Sequence, residues 1–197
     1  MGNLIVFIGP PGSGKTTQMY LLSKILSKKG QKVKIMCLKR SFTATLLEKT
    51  LFLLIYGKNI GYPYPLELLL RGANIKLKRL ISLWYITDIL ELYARLLSLV
   101  LMSNMFKLTL FIEEYVPAVI VDYIYVALRL KIQLGRVLTY INTLLWLYFK
   151  VHPSKIILLS ASLQELIQRW HRRGRAEHSR TYILTQQMTP NLIKMLT

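Results

Sequence analysis

The chain has 197 residues, which suffice for one α/β domain with a full hydrophobic core but not for two ordinary domains and a linker. Hydrophobic residues make up 53% of it, and this excludes long disorder. Its 27 lysines and arginines outnumber 9 acidic residues, giving a net charge of +18. Such a charge attracts nucleotides, nucleic acid or an anionic membrane surface, although the same residues could be no more than a solvated rim.

The apolar stretches and the cysteine content bear on the cellular location of the protein. The longest apolar stretches, such as residues 137–149, stop short of the roughly 18 to 20 uncharged residues of a spanning helix, so we expect no membrane insertion. The N-terminal run leads directly into a predicted binding loop and is therefore no removable signal. We expect a cytoplasmic protein. Cys37 is the single cysteine, and we expect it to pack rather than to form a disulfide.

Short apolar runs predict four β-strands, at residues 4–8, 32–38, 107–113 and 155–160. Runs that are nearly all apolar suit strands covered on both faces, and the segments between them have helical patterns. Strands that alternate with helices predict a parallel sheet. We expect an α/β fold with a sheet of four or five strands flanked by helices.

The longest predicted helix spans residues 77–105 and is apolar on nearly all sides. A helix of this kind needs packing partners on two sides. The sheet would cover one side and a second subunit could cover the other, so we expect a homodimer. The first predicted helix, 15–29, ends at Gly30 with lysines in its last turn. Other helices are predicted at residues 119–134, 137–150 and 163–169.

A phosphate-binding loop is predicted at residues 9–16, where Gly-x-x-x-x-Gly-Lys-Thr follows a strand and opens a helix. The glycines let successive backbone N–H groups face a phosphate, and the helix adds its positive N-terminal end. We expect Lys15 to neutralise the β- and γ-phosphate oxygens of ATP, and Thr16 to ligate Mg²⁺. The residues predicted to hold the nucleotide are Gly9, Pro10, Pro11, Gly12, Ser13, Gly14, Lys15, Thr16 and Thr17.

A carboxylate that anchors the metal is predicted at the end of the third strand. Glu113 and Glu114 follow the apolar run 108–112, where a strand tip would point towards the loop. Side chains of adjacent strand residues face opposite ways, so at most one of the two can reach the metal. We assign Glu113 to the metal and expect Glu114 to pair with a nearby base.

Residues 113–118, Glu-Glu-Tyr-Val-Pro-Ala, resemble the Asp-Arg-Tyr-Val-x-Ser segment of thymidylate kinases. The Asn-Lys-x-Asp segment of regulatory GTPases is absent, which favours the small kinases. Other landmarks of that family follow in the same order. They are the preceding long helix, a turn at Gly135-Arg136, His152-Pro153 before the fourth strand and an arginine-rich segment. The chain is thus similar over essentially its whole length to thymidylate kinases, including archaeal members and thymidylate-kinase-like proteins.

This resemblance implies one P-loop kinase domain over residues 1–197, in three layers, with an arginine-rich lid at about 170–180. The implied reaction transfers the γ-phosphoryl group of ATP to dTMP or a related (deoxy)nucleoside monophosphate. The implied catalytic residues are Lys15, Glu113, Arg173 and Arg175, and the implied acceptor-binding residues are Arg40, Phe42, Glu113 and Arg136.

Several positions depart from that family. Glu114 replaces an arginine, Ala118 replaces a serine, and Ile89 stands where an arginine helps to recognise thymine. A site discriminates strongly through a polar contact only when that contact is present, so the acceptor base stays open. A second function stays open too: an ATP-dependent binding module that holds nucleic acid or another polyanion. In that case the lid arginines could bind nucleic-acid phosphates or be a solvated turn.

Overall fold

A computed structural model describes residues 3–38, 46, 50, 53, 75–172 and 180–196. The strands in these ranges are β1 (Leu4–Ile8), β2 (Val33–Cys37), β3 (Thr109–Glu113) and β4 (Lys155–Leu158). The helices are α1 (Lys15–Lys28), α2 (Ile75–Phe106), α3 (Val116–Arg129), α4 (Leu134–Lys150), α5 (Leu163–Arg172), α6 (Arg180–Gln187) and α7 (Thr189–Leu196).

The four strands form one parallel sheet in the order β2-β3-β1-β4. In the sheet register, Glu113 at the end of β3 lies opposite Phe7 of β1 and opposite Cys37 of β2. The carboxyl ends of these three strands therefore meet at one edge, beside the loop that follows β1. The predicted α/β fold with a parallel four-stranded sheet flanked by helices is confirmed, and the described residues contain no fifth strand.

Both faces of the two central strands, β1 and β3, are covered, which explains why these strands are almost entirely apolar. Val6 and Ile8 face a large core built with α2, α3 and α4. Phe7 faces the other way and packs with Met19 of α1 and Phe111 of β3, the two phenyl rings lying 5.2 Å apart. Successive side chains of β1 thus alternate between two cores, as the pleat of a strand requires.

Aromatic side chains fasten α2 to α3. The rings of Tyr85 and Tyr123 lie 4.3 Å apart, and the Tyr85 hydroxyl donates a hydrogen bond to the Tyr123 carbonyl oxygen at 3.2 Å. The Tyr123 hydroxyl donates in turn to Asp88 Oδ2 at 2.8 Å. Tyr115, Tyr123 and Tyr125 all belong to the core, since each is at most 2% exposed.

Two predicted boundaries are wrong. The break between α3 and α4 lies at residues 130–133, where Lys131 has a positive φ of 52°. The turn predicted at Gly135-Arg136 does not exist, because both residues belong to the first turn of α4. A glycine is tolerated there, since the first N–H groups of a helix have no intrahelical partner to lose. Helix α5 extends to Arg172, and helices α6 and α7 were not predicted from their mixed polar patterns.

Helix α2 contains one segment that is long and apolar enough to cross a membrane by length and composition alone, although charged residues interrupt it. Residues Ser82–Phe106 of α2 pass that test by length and composition, with a mean hydropathy of 1.4, and 22% of this window is buried. The charges that interrupt the segment are satisfied locally: Asp88 accepts from Tyr123, and Glu91 pairs with Arg95 at 2.7 Å. Much of the remaining surface of α2 is apolar and exposed.

Two buried tyrosines make stability sensitive to alkaline pH. Burial, together with the neighbouring Tyr140 and Tyr148, raises the pKa of Tyr85 and of Tyr115 far above the ordinary value of 10.0. In the unfolded chain these phenols lose their protons near pH 10, whereas the folded protein keeps them. Their contribution to stability is therefore complete below pH 10 and declines as pH rises towards the folded pKa.

Above pH 10 the free energy of unfolding of the wild type should fall as pH rises, and Tyr85→Phe should make this fall less steep. The difference in slope should be up to about 1.4 kcal/mol per pH unit, which is the value for one titrating proton. Chemical denaturation at several pH values measures this slope. Tyr20→Phe, at an exposed position, is the control and should leave the slope unchanged. Identical slopes in wild type and Tyr85→Phe would contradict the assignment.

Candidate functional site

Two glycines in the loop between β1 and α1, the predicted phosphate-binding loop, have left-handed backbone conformations. Gly12 and Gly14 have φ values of 87° and 93°, a left-handed region that glycine adopts without steric cost. Lys15, the first residue of α1, is 4% exposed. Its ammonium group donates hydrogen bonds to the carbonyl oxygens of Gly9 at 2.9 Å and Pro10 at 3.2 Å. The loop therefore surrounds the ammonium group of Lys15.

Gly9 allows this loop to lie directly against the end of β4. A Cβ atom at this position would come within 2.3 Å of the Leu159 carbonyl oxygen and 2.8 Å of Ser13 Oγ. Ser13 itself is 8% exposed, and its buried hydroxyl has no hydrogen-bond partner within the part of the chain that the structure describes. A polar group of this kind inside a phosphate loop is available to a ligand.

Glu113 lies beside the loop because β3 pairs with β1. Thr16 Oγ1 is 3.0 Å from Glu113 Oε2 and 3.1 Å from Oε1, and Lys15 Nζ is 3.9 Å from Oε1. The structure therefore brings together Lys15, Thr16 and Glu113, which were chosen from separate parts of the sequence. Their chemical roles remain predictions.

Glu114 departs from what strand geometry predicts. We expected it to face away from Glu113 and to pair with a base. Its φ is 57°, so the strand alternation ends at Glu113, and the Glu114 side chain lines the same cavity as Glu113. Its polar contact is Cys37 Sγ, 3.9 Å from Oε2, and among the described residues it forms no ion pair. The predicted pairing with a base is therefore absent from this part of the chain.

A cavity of about 390 Å³ connects these groups. Four residues of α1 line it, namely Lys15, Thr16, Thr17 and Tyr20. Glu113 at the end of β3, Glu114 just after it, and residues Ile35 to Cys37 of β2 form the rest of this wall. Neighbouring strands lie about 4.8 Å apart, so the end of β2 is about 10 Å from the end of β1, on the far side of β3. The cavity has the size of small-molecule sites and reaches well beyond the phosphate loop.

Arg169 reaches the loop and was missed in the sequence. Its Nη1 atom donates a hydrogen bond to the Gly12 carbonyl oxygen at 3.0 Å. The predicted helix ends at this residue, and the predicted lid arginines lie beyond it. Arg169 and Arg172 are three residues apart within α5, a spacing that places both on one helix face. A prediction that extended α5 to its observed end at Arg172 would have identified Arg169 as a candidate site residue.

Other predicted site residues are not described. Arg40, Phe42, Arg173 and Arg175 lie outside the described residues, and the side chain of Arg136 lies outside them too. Arg172 is exposed in the last turn of α5. The assignments of acceptor-binding and lid residues therefore stay predictions.

Gly9→Ala should lower the free energy of unfolding by about 1 to 3 kcal/mol, because the added methyl group would overlap a backbone carbonyl that cannot rotate away. Gly135→Ala is the matched control: nothing lies within 4 Å of its Cβ position, so it should be neutral or stabilise by up to about 1 kcal/mol. Denaturant titration of both variants measures the difference. Equal stabilities would contradict the close packing of Gly9.

No protein-family model matches the sequence, and no curated protein matches it. Solved structures that are similar to this chain include two of deoxyadenosine kinase. One is the deoxyadenosine kinase from M. mycoides with bound dATP, at 18% identity and a TM-score of 0.55, covering 98% of this chain and 84% of that chain. The other is deoxyadenosine kinase from M. mycoides with the products dCMP and a flexible dCDP, at 18% identity and a TM-score of 0.51, covering 97% and 83%.

At this level of identity the likeness concerns the fold. Both structures are of deoxyadenosine kinases and neither is of a thymidylate kinase, so they lend no support to the finer part of the sequence resemblance. The chain has the fold of P-loop kinases: a parallel four-stranded sheet flanked by helices, with a phosphate loop after β1.

Proposed function

We propose that the protein is an ATP-dependent phosphotransferase whose acceptor is a nucleoside or a nucleoside 5′-monophosphate. One observation carries this proposal: Lys15, Thr16 and Glu113 meet in a cavity that continues past the phosphate loop to the end of β2. Phosphoryl transfer depends on positioning and charge neutralisation more than on covalent chemistry. A cation, a hydroxyl and a carboxylate in one cavity with room for an acceptor meet that need.

The residues present fit ATP and Mg²⁺. Thr16 Oγ1 and Glu113 Oε2 lie 3.0 Å apart, and a hydroxyl and a carboxylate are oxygen donors of the kind that would hold Mg²⁺. The described residues contain no group of three or more metal-ligating side chains. This suits an ion that completes its shell with phosphate oxygens and water. Bound there, Mg²⁺ would neutralise charge on the β- and γ-phosphates.

The acceptor class is supported from two directions. Resemblance to thymidylate kinases favours dTMP or a related (deoxy)nucleoside monophosphate, whereas the similar solved structures are of deoxyadenosine kinases. We further propose that the chain is one domain with a lid at about 170–180, in which Arg173 and Arg175 cover charge on the transferring group. Helix α5 leads into that segment, and its Arg169 already contacts the loop. A cytoplasmic location remains a proposal.

A second candidate is a degenerate kinase-like module that binds ATP and a polyanion without efficient transfer. It is favoured by a lysine-rich surface that runs from α1 through the following turn to β2, all of whose lysines are exposed. They are Lys24, Lys28, Lys29, Lys32 and Lys34. Nucleic acid is the candidate partner because phosphate contacts dominate its binding to basic surfaces.

Lys15→Ala and Glu113→Gln should each lower phosphotransfer by about 10²-fold or more, because the first removes a cation that neutralises phosphate charge and the second removes the carboxylate proposed to hold Mg²⁺. The measurement is ADP release from ATP·Mg²⁺ with a panel of nucleosides and their 5′-monophosphates, including dTMP, dUMP, CMP and AMP. Lys24→Ala, an exposed lysine of the same helix, is the control and should keep full activity.

Wild-type rates in both site variants would refute the assignment of these residues. ATP binding without transfer to any acceptor would instead favour the second candidate. In that case nucleic acid should be retained with an affinity that falls steeply as salt rises.

We also propose that the protein is a homodimer joined through α2. Six large apolar side chains on this helix are exposed at spacings of three and four residues, and we call this stripe the α2 seam: Leu83, Ile86, Leu90, Tyr93, Leu97 and Leu101. Their average spacing of about 3.6 residues is the period of an α-helix, so these side chains lie along one face of α2. The charges of this segment, Asp88, Glu91 and Arg95, lie off the seam. A self-complementary stripe suits a second copy related by a two-fold axis.

Replacing Leu90 and Leu97 by glutamate should convert a dimer into a monomer of 22.9 kDa, because buried like charges would face each other across the two-fold axis. Light scattering after size exclusion measures the mass. Leu128→Glu, at a leucine of α3 that is 59% exposed, is the control and should remain dimeric. A monomeric wild type would contradict the proposal, and a wild type that is soluble only with lipid would point to a bilayer as the partner.

A further inference from the structure

The four strands begin at the edge of the sheet that lies opposite the cavity. Backbone hydrogen bonds of 2.8 to 2.9 Å join these beginnings: Thr109 N to Lys32 O, Leu110 N to Asn3 O and Ser154 N to Leu4 O. We call this surface the amino edge and define it as residues 3, 28–32, 105–108 and 154–155. A strand rises about 3.3 Å per residue, so the amino edge is roughly 15 Å from the carboxyl ends of the strands. A partner bound there would leave the cavity open.

The charged side chains of the amino edge are all lysines, and all of them are exposed. They are Lys28, Lys29, Lys32, Lys107 and Lys155. None of the nine acidic residues of the chain belongs to this surface. The acidic residues that the structure describes lie at the carboxyl edge, in the interior of α2, in α3 and in the first turn of α5. Positive charge is therefore concentrated at one end of the sheet.

Helix stability explains only part of this lysine cluster. A lysine at the C-terminal end of a helix interacts favourably with the helix dipole, and this accounts for Lys28 and Lys29 at the end of α1. Lys32 and Lys107 lie outside helices, and Lys155 begins a strand. These three side chains serve no helix terminus, so their accumulation at one edge points to an anionic partner.

Two large apolar side chains lie among these lysines, at the end of α2. Met105 is 74% exposed and Phe106 is 58% exposed. Met105 follows Leu101 by four residues and continues the line of the α2 seam. Phe106 follows Ser103 by three residues, so it lies on the side of α2 that is buried where the helix packs on the protein. At the amino edge the sheet has ended, and that side of the helix is open to solvent.

An exposed phenylalanine among lysines fits an anionic lipid surface. The negative surface potential of such a bilayer attracts lysines within a Debye length of about 8 Å. An apolar side chain gains free energy when it leaves water for the boundary between headgroups and acyl chains. Nucleic acid would attract the same lysines, but its phosphate backbone offers no apolar phase to Met105 and Phe106. The amino edge also contains no arginine, the residue best suited to recognise nucleic-acid phosphates.

We propose that the amino edge is a docking surface for an anionic lipid bilayer. Phe106 enters the boundary between headgroups and acyl chains, and the lysines face the lipid phosphates. The cavity, with Glu113 and Glu114, then faces away from the negative surface and stays accessible to soluble substrates. This attachment is peripheral and requires no spanning helix. It goes beyond the proposed function and does not depend on it.

Co-sedimentation of the full chain with lipid vesicles tests this proposal. Wild type should bind vesicles of phosphatidylcholine mixed with phosphatidylglycerol, should bind pure phosphatidylcholine far less, and should be released as salt rises. Replacing Lys107 and Lys155 together by glutamine should lower the affinity for the mixed vesicles by about 30-fold, since each lysine near an anionic surface contributes roughly a factor of five. Phe106→Ser, which keeps the charge, should lower it by about 10-fold.

The matched control replaces Lys131 and Lys194 by glutamine. Both are exposed lysines outside the amino edge, so this variant has the same net charge as the first double variant and should bind much more tightly than it does. Equal binding by the two double variants, or equal binding of wild type to neutral and mixed vesicles, would overturn the proposal. Wild-type binding by Phe106→Ser would overturn the entry of Phe106 into the bilayer. Retention of nucleic acid without vesicle binding would also overturn the proposal and would assign these lysines to the second candidate function.

Discussion

The pairing of β3 between β1 and β2 is the constraint on which the candidate site depends. Glu113 lies opposite Phe7 on one side and opposite Cys37 on the other, so a single residue joins the phosphate loop to the β2 end of the cavity. The apolar residues before it, Leu110 to Ile112, are fully buried and alternate between the two cores. A shift of one residue in register would turn these side chains to the wrong faces and carry Glu113 away from Thr16.

Helix α2 has an inner side that packs against the rest of the protein and an outer side that is exposed. Its inner side is held by Tyr85, whose hydroxyl and ring both engage Tyr123, and by Asp88, which accepts a hydrogen bond from the same residue. Its outer side carries the α2 seam. Both sides are apolar, so the helix satisfies the composition test for a membrane span. One side nevertheless packs on the sheet and on the helices that cover it. The polar contacts of Asp88 keep a charged group within this apolar setting without leaving it unsatisfied.

Glu113 and Glu114 are adjacent in the chain, but their backbone conformations place their side chains beside different groups. Glu113 ends a regular strand and faces the cation and hydroxyl of the phosphate loop. Glu114 leaves the strand through a left-handed conformation and lines the cavity towards β2. The excess positive charge of the chain is found elsewhere, as on the exposed lysines of α1 and β2. The electrostatic potential inside the cavity therefore cannot be inferred from the net charge, which is a sum over the whole chain.

The sequence by itself determined the phosphate loop, the helix that follows it and all four strands to within two residues at each end, because these features arise from local patterns of glycine spacing and apolar periodicity. It also indicated that Glu113 and Thr16 belong to one site. Only the tertiary structure decided the strand order, the contact of Arg169 with Gly12 across 157 residues of chain, and the direction of Glu114. Each of these depends on long-range pairing or on a backbone conformation that packing imposes, and neither leaves a periodic signal in the sequence.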